Sequence, residues 1–140
     1  ALSSAADVLD QGRALGIFPE GTRSKRTEAP FLLPGKTGVA RLAASYPNCV
    51  VVPIAMNGTR NMMQPQKHKL PRLHKRVTIQ SGEGITWYQW LTDVNGGHQS
   101  AASLKLLAEK EEHEIRSELA ALYRRFTDQL MGSILALGAP

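Results

Sequence analysis

The chain has few of the residues that define several protein classes. One cysteine, Cys49, is present among 140 residues, which excludes an internal disulfide. Aromatic residues make up 6% of the chain, and no stretch approaches the roughly 20 apolar residues of a membrane-spanning helix. Neither an initiator methionine nor a signal peptide is visible. We therefore expect residues 1–140 to be a single domain, the C-terminal part of a larger domain truncated at its N-terminus.

Acidic residues are absent between Ala29 and Gly82, although the net charge of +5 is modest. Residues 1–83 hold 12 Lys and Arg against five Asp and Glu, so this part should meet an anionic partner. The densest run of cations comprises Arg60, Lys67, Lys69, Arg72, Lys75 and Arg76. It is either a solvated loop or a surface that attracts anionic lipid headgroups or the phosphates of coenzyme A. No aromatic residue lies in this run, so nucleic acid is not an expected partner.

Apolar periodicity predicts helices that alternate with strands, and hence an α/β fold. The predicted helices cover residues 2–11, which Gly12 ends, and residues 38–45. The predicted strands are Ala14–Phe18, Cys49–Met56 and Arg76–Gln80, the first two of buried type. Polar and Pro-containing loops are expected at residues 24–34 and 57–74.

The tail is predicted to form one long helix from Ala101 to Leu130. Lys110/Glu114 and Glu112/Arg116 have the i,i+4 spacing of ion pairs in that helix. His113 and Glu118 form a His-x-x-x-x-Glu pattern, but their charged helical setting favours a solvated face. The Trp87–Trp90 cluster fits either a membrane interface or a packed flap, and residues 86–103 receive no functional role.

The segment Phe18–Ser24, Phe-Pro-Glu-Gly-Thr-Arg-Ser, carries most of the chemistry. Its proline fixes φ and its glycine permits positive φ, so we expect a turn that aims backbone N–H groups at an anion. Arg23 adds a planar fork of donors that suits a phosphate, and two hydroxyl groups add further donors. The carboxylate of Glu20 is able to hold a substrate hydroxyl. Lys36 follows in Gly-Lys-Thr-Gly and lends charge to the same anion.

Three blocks of the sequence together resemble one family, the glycerophosphate/lysophospholipid acyltransferases. Phe18–Ser24 resembles the third signature block of that family, and Gly35–Gly38 resembles the helix start that follows it. Val51–Thr59 resembles the fourth block, a Val-Pro-Val-Ala strand closed by glycine. The resemblance implies a partial sheet of glycerol-3-phosphate acyltransferase type, flanked by helices and followed by a long C-terminal helix.

The resemblance also implies an activity. Family members move a fatty acyl group from acyl-CoA or acyl carrier protein to a lysophospholipid, here expected to be 1-acyl-sn-glycerol 3-phosphate, which gives phosphatidic acid. No cofactor beyond the acyl donor is implied. The general base is the His of a His-x-x-x-x-Asp block, expected upstream of Ala1. The implied substrate-binding residues are Glu20, Gly21, Thr22, Arg23, Ser24, Lys36 and Pro53.

The sequence also leads to an expected cellular location and leaves two alternative functions open. The resemblance implies the cytoplasmic side of an anionic membrane, bound peripherally or anchored by a segment that precedes Ala1. A non-catalytic phosphate- or nucleic-acid-binding basic module is one alternative, based on the charge distribution. A scaffold that kept the fold but lost the general base is another.

Overall fold

The computed structural model describes residues 2–63, 67 and 70–140. Its helices are α1 (Leu2–Asp10), α2 (Gly38–Ser45), α3 (Thr59–Met62), α4 (Trp87–Thr92), α5 (Ala101–Ala108) and α6 (Glu112–Ala136). Its strands are β1 (Val50–Val51), β2 (Ile54–Asn57), β3 (Thr78–Ser81) and β4 (Ile85–Thr86). Helices and strands are therefore mixed, while the expected acyltransferase-like arrangement of the sheet stays a prediction.

The strands form two small antiparallel sheets. β1 pairs with β4, and β2 pairs with β3 so that Met56 lies opposite Ile79. The single strand predicted over Cys49–Met56 is wrong, because the chain leaves the ladder at Val52 and Pro53. Proline has no N–H to donate to a neighbouring strand. The predicted two-sided burial is also wrong, since Ala55 is buried while the residues on either side of it are exposed.

Helix α6 packs against most of the other elements through two apolar clusters. The first cluster joins α6 to α2 and α4 through its buried members Ala40, Ala43, Trp87, Trp90, Leu122 and Phe126. The second joins it to β2 and consists of Ala55, Met131 and Ile134, with Leu32 packed against them. Because α6 contributes to both clusters, it holds the sheet side and the helix side of the molecule together.

The tryptophan cluster belongs to the interior. Trp87 and Trp90 are buried, and each ring lies against Phe126 of α6. The Trp90 indole N–H donates to the Gln129 side chain at 2.6 Å, which satisfies the one polar group of the ring. The packed interpretation of this segment is therefore confirmed, and a membrane interface at these two rings is excluded.

The buried strand predicted over Ala14–Phe18 is wrong. These residues take no regular secondary structure, and the Phe18 side chain is 70% exposed. A strand needs a neighbour to satisfy its backbone groups, and no described segment pairs with this run. An apolar run shows that a segment tends to be buried, but not which partner it has.

The long helix predicted over Ala101–Leu130 is wrong in its continuity. It is two helices, α5 and α6, separated at residues 109–111, and α6 continues to Ala136. Glu111 begins α6 with a capping box in which the Glu114 side chain accepts from the Glu111 N–H. The Glu112/Arg116 ion pair is confirmed. The Lys110/Glu114 pair is wrong, because Lys110 contacts Glu118 instead.

The basic loop predicted over residues 57–74 contains one helical turn, α3. Lys69, one of the six cations of the basic run that begins in this loop, lies outside the described residues. Helix α1 and the stop at Gly12, whose φ is 68°, are confirmed, as are α2 and the irregular segment 24–34. Within the described part of the chain, none of the helices combines enough length and apolarity to pass through a membrane.

Candidate functional site

The Phe18–Ser24 segment folds into a tight turn. The Gly21 N–H donates to the Phe18 carbonyl at 3.0 Å, so Pro19 occupies the second position of a four-residue turn, where its fixed φ is favoured. Gly21 has φ of 70°, which L-residues with a side chain rarely adopt. The predicted turn is therefore present. The Gly21 N–H is used inside the turn, so the expectation that the turn aims backbone N–H groups at an anion rests on the residues that follow Gly21 and stays a prediction.

Lys36 lies over this turn. Its backbone N–H donates to the Pro19 carbonyl at 2.8 Å. A Cβ added at Gly21 would lie 3.2 Å from the Lys36 Nζ atom and 3.0 Å from its Cδ atom. Glycine thus serves two purposes here, since it allows the positive φ and leaves room for the lysine. The ammonium group is placed beside the turn without an ion pair among the described residues.

Glu20 is tied to the loop that precedes Lys36. One of its carboxylate oxygens accepts the Leu33 backbone N–H at 2.7 Å. A carboxylate has about four acceptor positions, so this bond leaves capacity for a substrate hydroxyl. Its predicted substrate role stays a prediction, and the structure adds a positioning role, because the bond joins the turn to the 32–36 segment.

The 32–36 segment is held by α6, a support that the sequence did not reveal. The carbonyl of Gly35 accepts a hydrogen bond from Arg124 at 2.9 Å, and Arg124 also pairs with Asp128 one turn along the helix. A Cβ at Gly35 would lie 2.7 Å from Thr127 and 2.8 Å from Met131. Only the i,i+4 spacing of Arg124 and Asp128 signals an ion pair in the sequence, and nothing in it indicates Gly35 as their neighbour.

Thr22, Arg23 and Ser24 continue from the turn towards solvent. Thr22 and Arg23 are exposed and Ser24 is half-buried. Within the described ranges the Arg23 guanidinium makes no hydrogen bond and no ion pair. Two nearby arginines are used structurally: Arg26 donates to the carbonyls of residues 30 and 32, and Arg60 donates to the Arg26 carbonyl. Arg23 thus differs from Arg26 and Arg60 in having no protein partner in the described ranges, while Lys36 is the cation that contacts the turn itself.

Pro53 lies beside a different part of α6 from the one that contacts Gly35. It is buried, and its carbonyl accepts the Gly82 N–H at 2.9 Å. A Cβ at Gly82 would contact both the Pro53 ring and Leu137, whereas Gly35 contacts Thr127 and Met131. At 1.5 Å per residue, Thr127 and Leu137 are separated by about 15 Å along the helix axis. The structure thus brings Glu20, Gly21 and Lys36 together, and it places Pro53 farther along α6, away from the turn.

The arrangement has the chemistry of an anion site. The ammonium group of Lys36 lies beside Gly21 and the carboxylate of Glu20 is held at the same turn. Arg23 follows two residues later, and a guanidinium and an ammonium are the side chains that suit a phosphate. Among the residues described, no three His, Cys, Asp or Glu side chains come close enough to hold a metal ion.

Comparison with known protein families identifies the same part of the chain. Residues 1–57 match the family model described as acyltransferase. We refer to residues 1–57, the part that matches this model, as the acyltransferase segment. Neither the curated proteins nor the solved structures give a match.

This acyltransferase segment contains every predicted substrate-binding residue, from Glu20 to Pro53. The match supports the acyltransferase family and a transferase-type enzyme. Helix α6, which holds the 32–36 segment, lies outside residues 1–57. The acyltransferase segment and the helix that supports it therefore come from different parts of the sequence.

Proposed function

We propose that this chain contributes the acceptor-binding half of a lysophospholipid acyltransferase. The acceptor is 1-acyl-sn-glycerol 3-phosphate, the donor is acyl-CoA or acyl carrier protein, and the product is phosphatidic acid. The main observation behind the proposal is the Gly21 turn with Lys36 over it, inside a segment that matches an acyltransferase family model. The phosphate of the acceptor supplies the negative charge that this turn fits.

Each residue of the turn has a distinct task in this proposal. Arg23 donates two parallel hydrogen bonds to the phosphate, because its planar fork matches two phosphate oxygens. Lys36 adds a point charge from the other side of the turn. Glu20 accepts a hydrogen bond from a glycerol hydroxyl while its bond to Leu33 holds the carboxylate in place. The acceptor is thereby oriented before any bond is made.

The reaction transfers an acyl group between two nucleophiles. The free hydroxyl of the acceptor attacks the thioester carbonyl, a C–O bond forms, and the C–S bond breaks to release the thiol. The hydroxyl proton passes to a general base and then to the leaving thiolate. That base is the His of the His-x-x-x-x-Asp block, a pattern that the 140 residues do not contain.

Arg23→Ala tests the proposal directly. The charge-assisted hydrogen bonds of one arginine are worth about 1.5–3 kcal/mol, so the Kd for 1-acyl-glycerol 3-phosphate should rise about 10- to 100-fold. Isothermal titration below the micelle concentration of the lipid measures it. The uncharged monoacylglycerol should bind wild type and variant equally weakly.

Arg13→Ala is the matched control, because Arg13 is an exposed arginine that precedes the turn. Its Kd should stay within about two-fold of the wild-type value. Equal losses of affinity in the two variants would show that the loss comes from the lower net charge of the protein and not from the turn. Equal affinity of wild type for the charged and uncharged lipids would overturn the proposal.

A further inference from the structure

The segment between α3 and β3 exposes leucine side chains to an unusual degree. Leu70 and Leu73 are 78% and 82% exposed, the largest values among the large hydrophobic residues described. Met63, at the start of the same segment, is exposed as well. A single exposed apolar residue needs no explanation, so the surroundings of these side chains decide what they mean.

The sheet on either side of this segment in the chain also has an exposed apolar row. Met56 of β2 lies opposite Ile79 of β3, and both are exposed, as is Ile54. Directly paired residues of antiparallel strands point to the same face, and alternate residues of one strand do so too. Ile54, Met56 and Ile79 therefore share the outer face of the sheet, away from the buried Ala55.

Along the chain, cations accompany these apolar side chains, and residues 29–82 contain no carboxylate side chain. Lys67 and Arg76 are exposed, and Arg72 and Lys75 are half-buried. The nearest acidic residues in sequence are Glu28 and Glu83. Lysine and arginine near an anionic bilayer each contribute about five-fold to binding, and apolar side chains that enter the interface add to that attraction.

The segment is fixed to the fold at both ends. The Arg72 N–H donates to the Met62 carbonyl at 2.7 Å, and the Arg76 carbonyl lies so close to Gly58 that no side chain fits there. Arg60 of α3 stacks 4.0 Å from the Phe31 ring and donates to the Arg26 carbonyl. The segment is thus connected to the loop that follows the Phe18–Ser24 turn.

We propose that this basic apolar surface docks on an anionic lipid bilayer. We define the surface as Met63, Lys67, Leu70, Arg72, Leu73, Lys75 and Arg76 together with Ile54, Met56 and Ile79. The leucines enter the boundary between headgroups and acyl chains while the cations contact lipid phosphates. A second copy of the chain is disfavoured, because a symmetric dimer would bring like charges together. RNA is disfavoured because the surface has no aromatic residue on which bases stack.

Vesicle binding by the full 140-residue chain tests this proposal. Flotation with phosphatidylglycerol-containing vesicles should show binding that weakens with added salt, and neutral phosphatidylcholine vesicles should bind far less. Soluble glycerol 3-phosphate should not release the protein, since it offers phosphate without an interface. The assay contains no lysophospholipid and no acyl donor, so its outcome is independent of the proposed acyl transfer.

Two double variants separate the apolar contribution to vesicle binding from the electrostatic one. Leu70→Ser with Leu73→Ser should weaken binding about 100-fold, at about ten-fold for each leucine withdrawn from the interface. Lys67→Gln with Arg76→Gln should weaken it about 25-fold and reduce its salt dependence. All four side chains are exposed, so both variants should unfold at the wild-type temperature in a circular dichroism melt.

Matched controls come from two helices outside the proposed surface, α5 and α6. Leu106→Ser removes another exposed leucine, and Lys105→Gln with Arg125→Gln removes two exposed cations. These variants should bind vesicles like wild type. Equal losses in the controls, or unchanged binding in the surface variants, would overturn the proposal. Absence of vesicle binding by wild type would also overturn it. Self-association or binding to single-stranded RNA that the leucine variant loses would then identify the partner of this surface instead.

Discussion

At the scale of single residues, Tyr46 links two helices through its hydroxyl group. The hydroxyl donates to the Asp10 carboxylate at 2.7 Å and lies 3.2 Å from the Ala6 carbonyl. Both partners belong to the α1 region, while Tyr46 follows α2 directly. The pKa of Tyr46 is raised above 10.0, first because of the hydrogen bond to Asp10, then through partial desolvation and the negative charges of Asp10 and Asp7.

The raised pKa makes the stability of this contact depend on pH. A group whose pKa is higher in the folded state stabilises the fold below its unfolded pKa, here about 10. The contribution is then lost as the pH rises through the folded value. Tyr46→Phe should therefore lower the free energy of unfolding by a constant amount between pH 7 and 9, and by progressively less above pH 10.

Denaturant unfolding of wild type and Tyr46→Phe at matched pH values measures this difference. Asp10→Ala provides a second test, because it removes the acceptor and should lower the pKa of Tyr46. The absorbance of tyrosinate measures this pKa. A difference between wild type and Tyr46→Phe that grows above pH 10 would contradict this assignment.

The other residue-scale result is the double role of Gly21. Its positive φ allows the turn, and its missing side chain leaves room for Lys36. The sequence predicts the first role from the Pro-x-Gly pattern alone. The second depends on a residue 15 positions later and is visible only once the chain has folded.

At the scale of elements, the packing of the 32–36 segment on α6 positions Lys36. Gly35 fits against Thr127 and Met131 without space for a methyl group. Thr127 is fully buried and donates its hydroxyl to the Tyr123 carbonyl at 2.7 Å. The contact is therefore both close and rigid, so a change at Gly35 must move the segment or the helix.

Gly35→Ala should lower the free energy of unfolding by about 1–3 kcal/mol, the usual cost of overpacking a core contact. It should also weaken lysophosphatidate binding, because Lys36 moves with the segment. Denaturant unfolding and isothermal titration measure the two effects.

Gly132→Ala is the control, because Gly132 lies in α6, the helix against which Gly35 packs. A Cβ at Gly132 meets nothing within 4 Å, so alanine should stabilise α6 by about 0.5–1 kcal/mol and leave binding unchanged. Equal effects of the two substitutions would show that Gly35 does not pack as described.

At the scale of the whole molecule, the acyltransferase segment depends on residues outside it. Both apolar clusters combine residues of the segment with residues of α6. Arg124 adds a polar contact between the same two parts. We expect residues 1–57 to need the C-terminal helix for the geometry of the turn, even though the family match ends at Asn57.

The 140-residue chain should bind the acceptor without turning it over. It contains no His-x-x-x-x-Asp pattern. The pattern nearest to it is His113 and Glu118; in the described residues no hydrogen bond joins these two side chains, and Glu118 pairs with Lys110. A radiometric assay with 1-acyl-glycerol 3-phosphate and acyl-CoA should give no product above background. Turnover that survives His113→Gln would show that another group in the chain acts as the base.

The sequence by itself determined the turn, the first two helices and the similarity of residues 1–57 to an acyltransferase. These features depend on neighbours within a few residues: Gly12 ends α1, Pro19 and Gly21 make the turn, and the apolar spacing of residues 38–45 makes α2. Local chemistry is sufficient for each of them, so each could be predicted without a partner.

Only the tertiary structure decided which segments meet. Ala14–Phe18 has the apolarity of a strand but no described neighbour to pair with. Gly35 must be glycine because Thr127 and Met131 leave no space for a side chain. Trp87 and Trp90 are core residues because α6 covers them. Such contacts join residues far apart in the chain, and their free energy depends on the shapes of both surfaces, which no local pattern encodes.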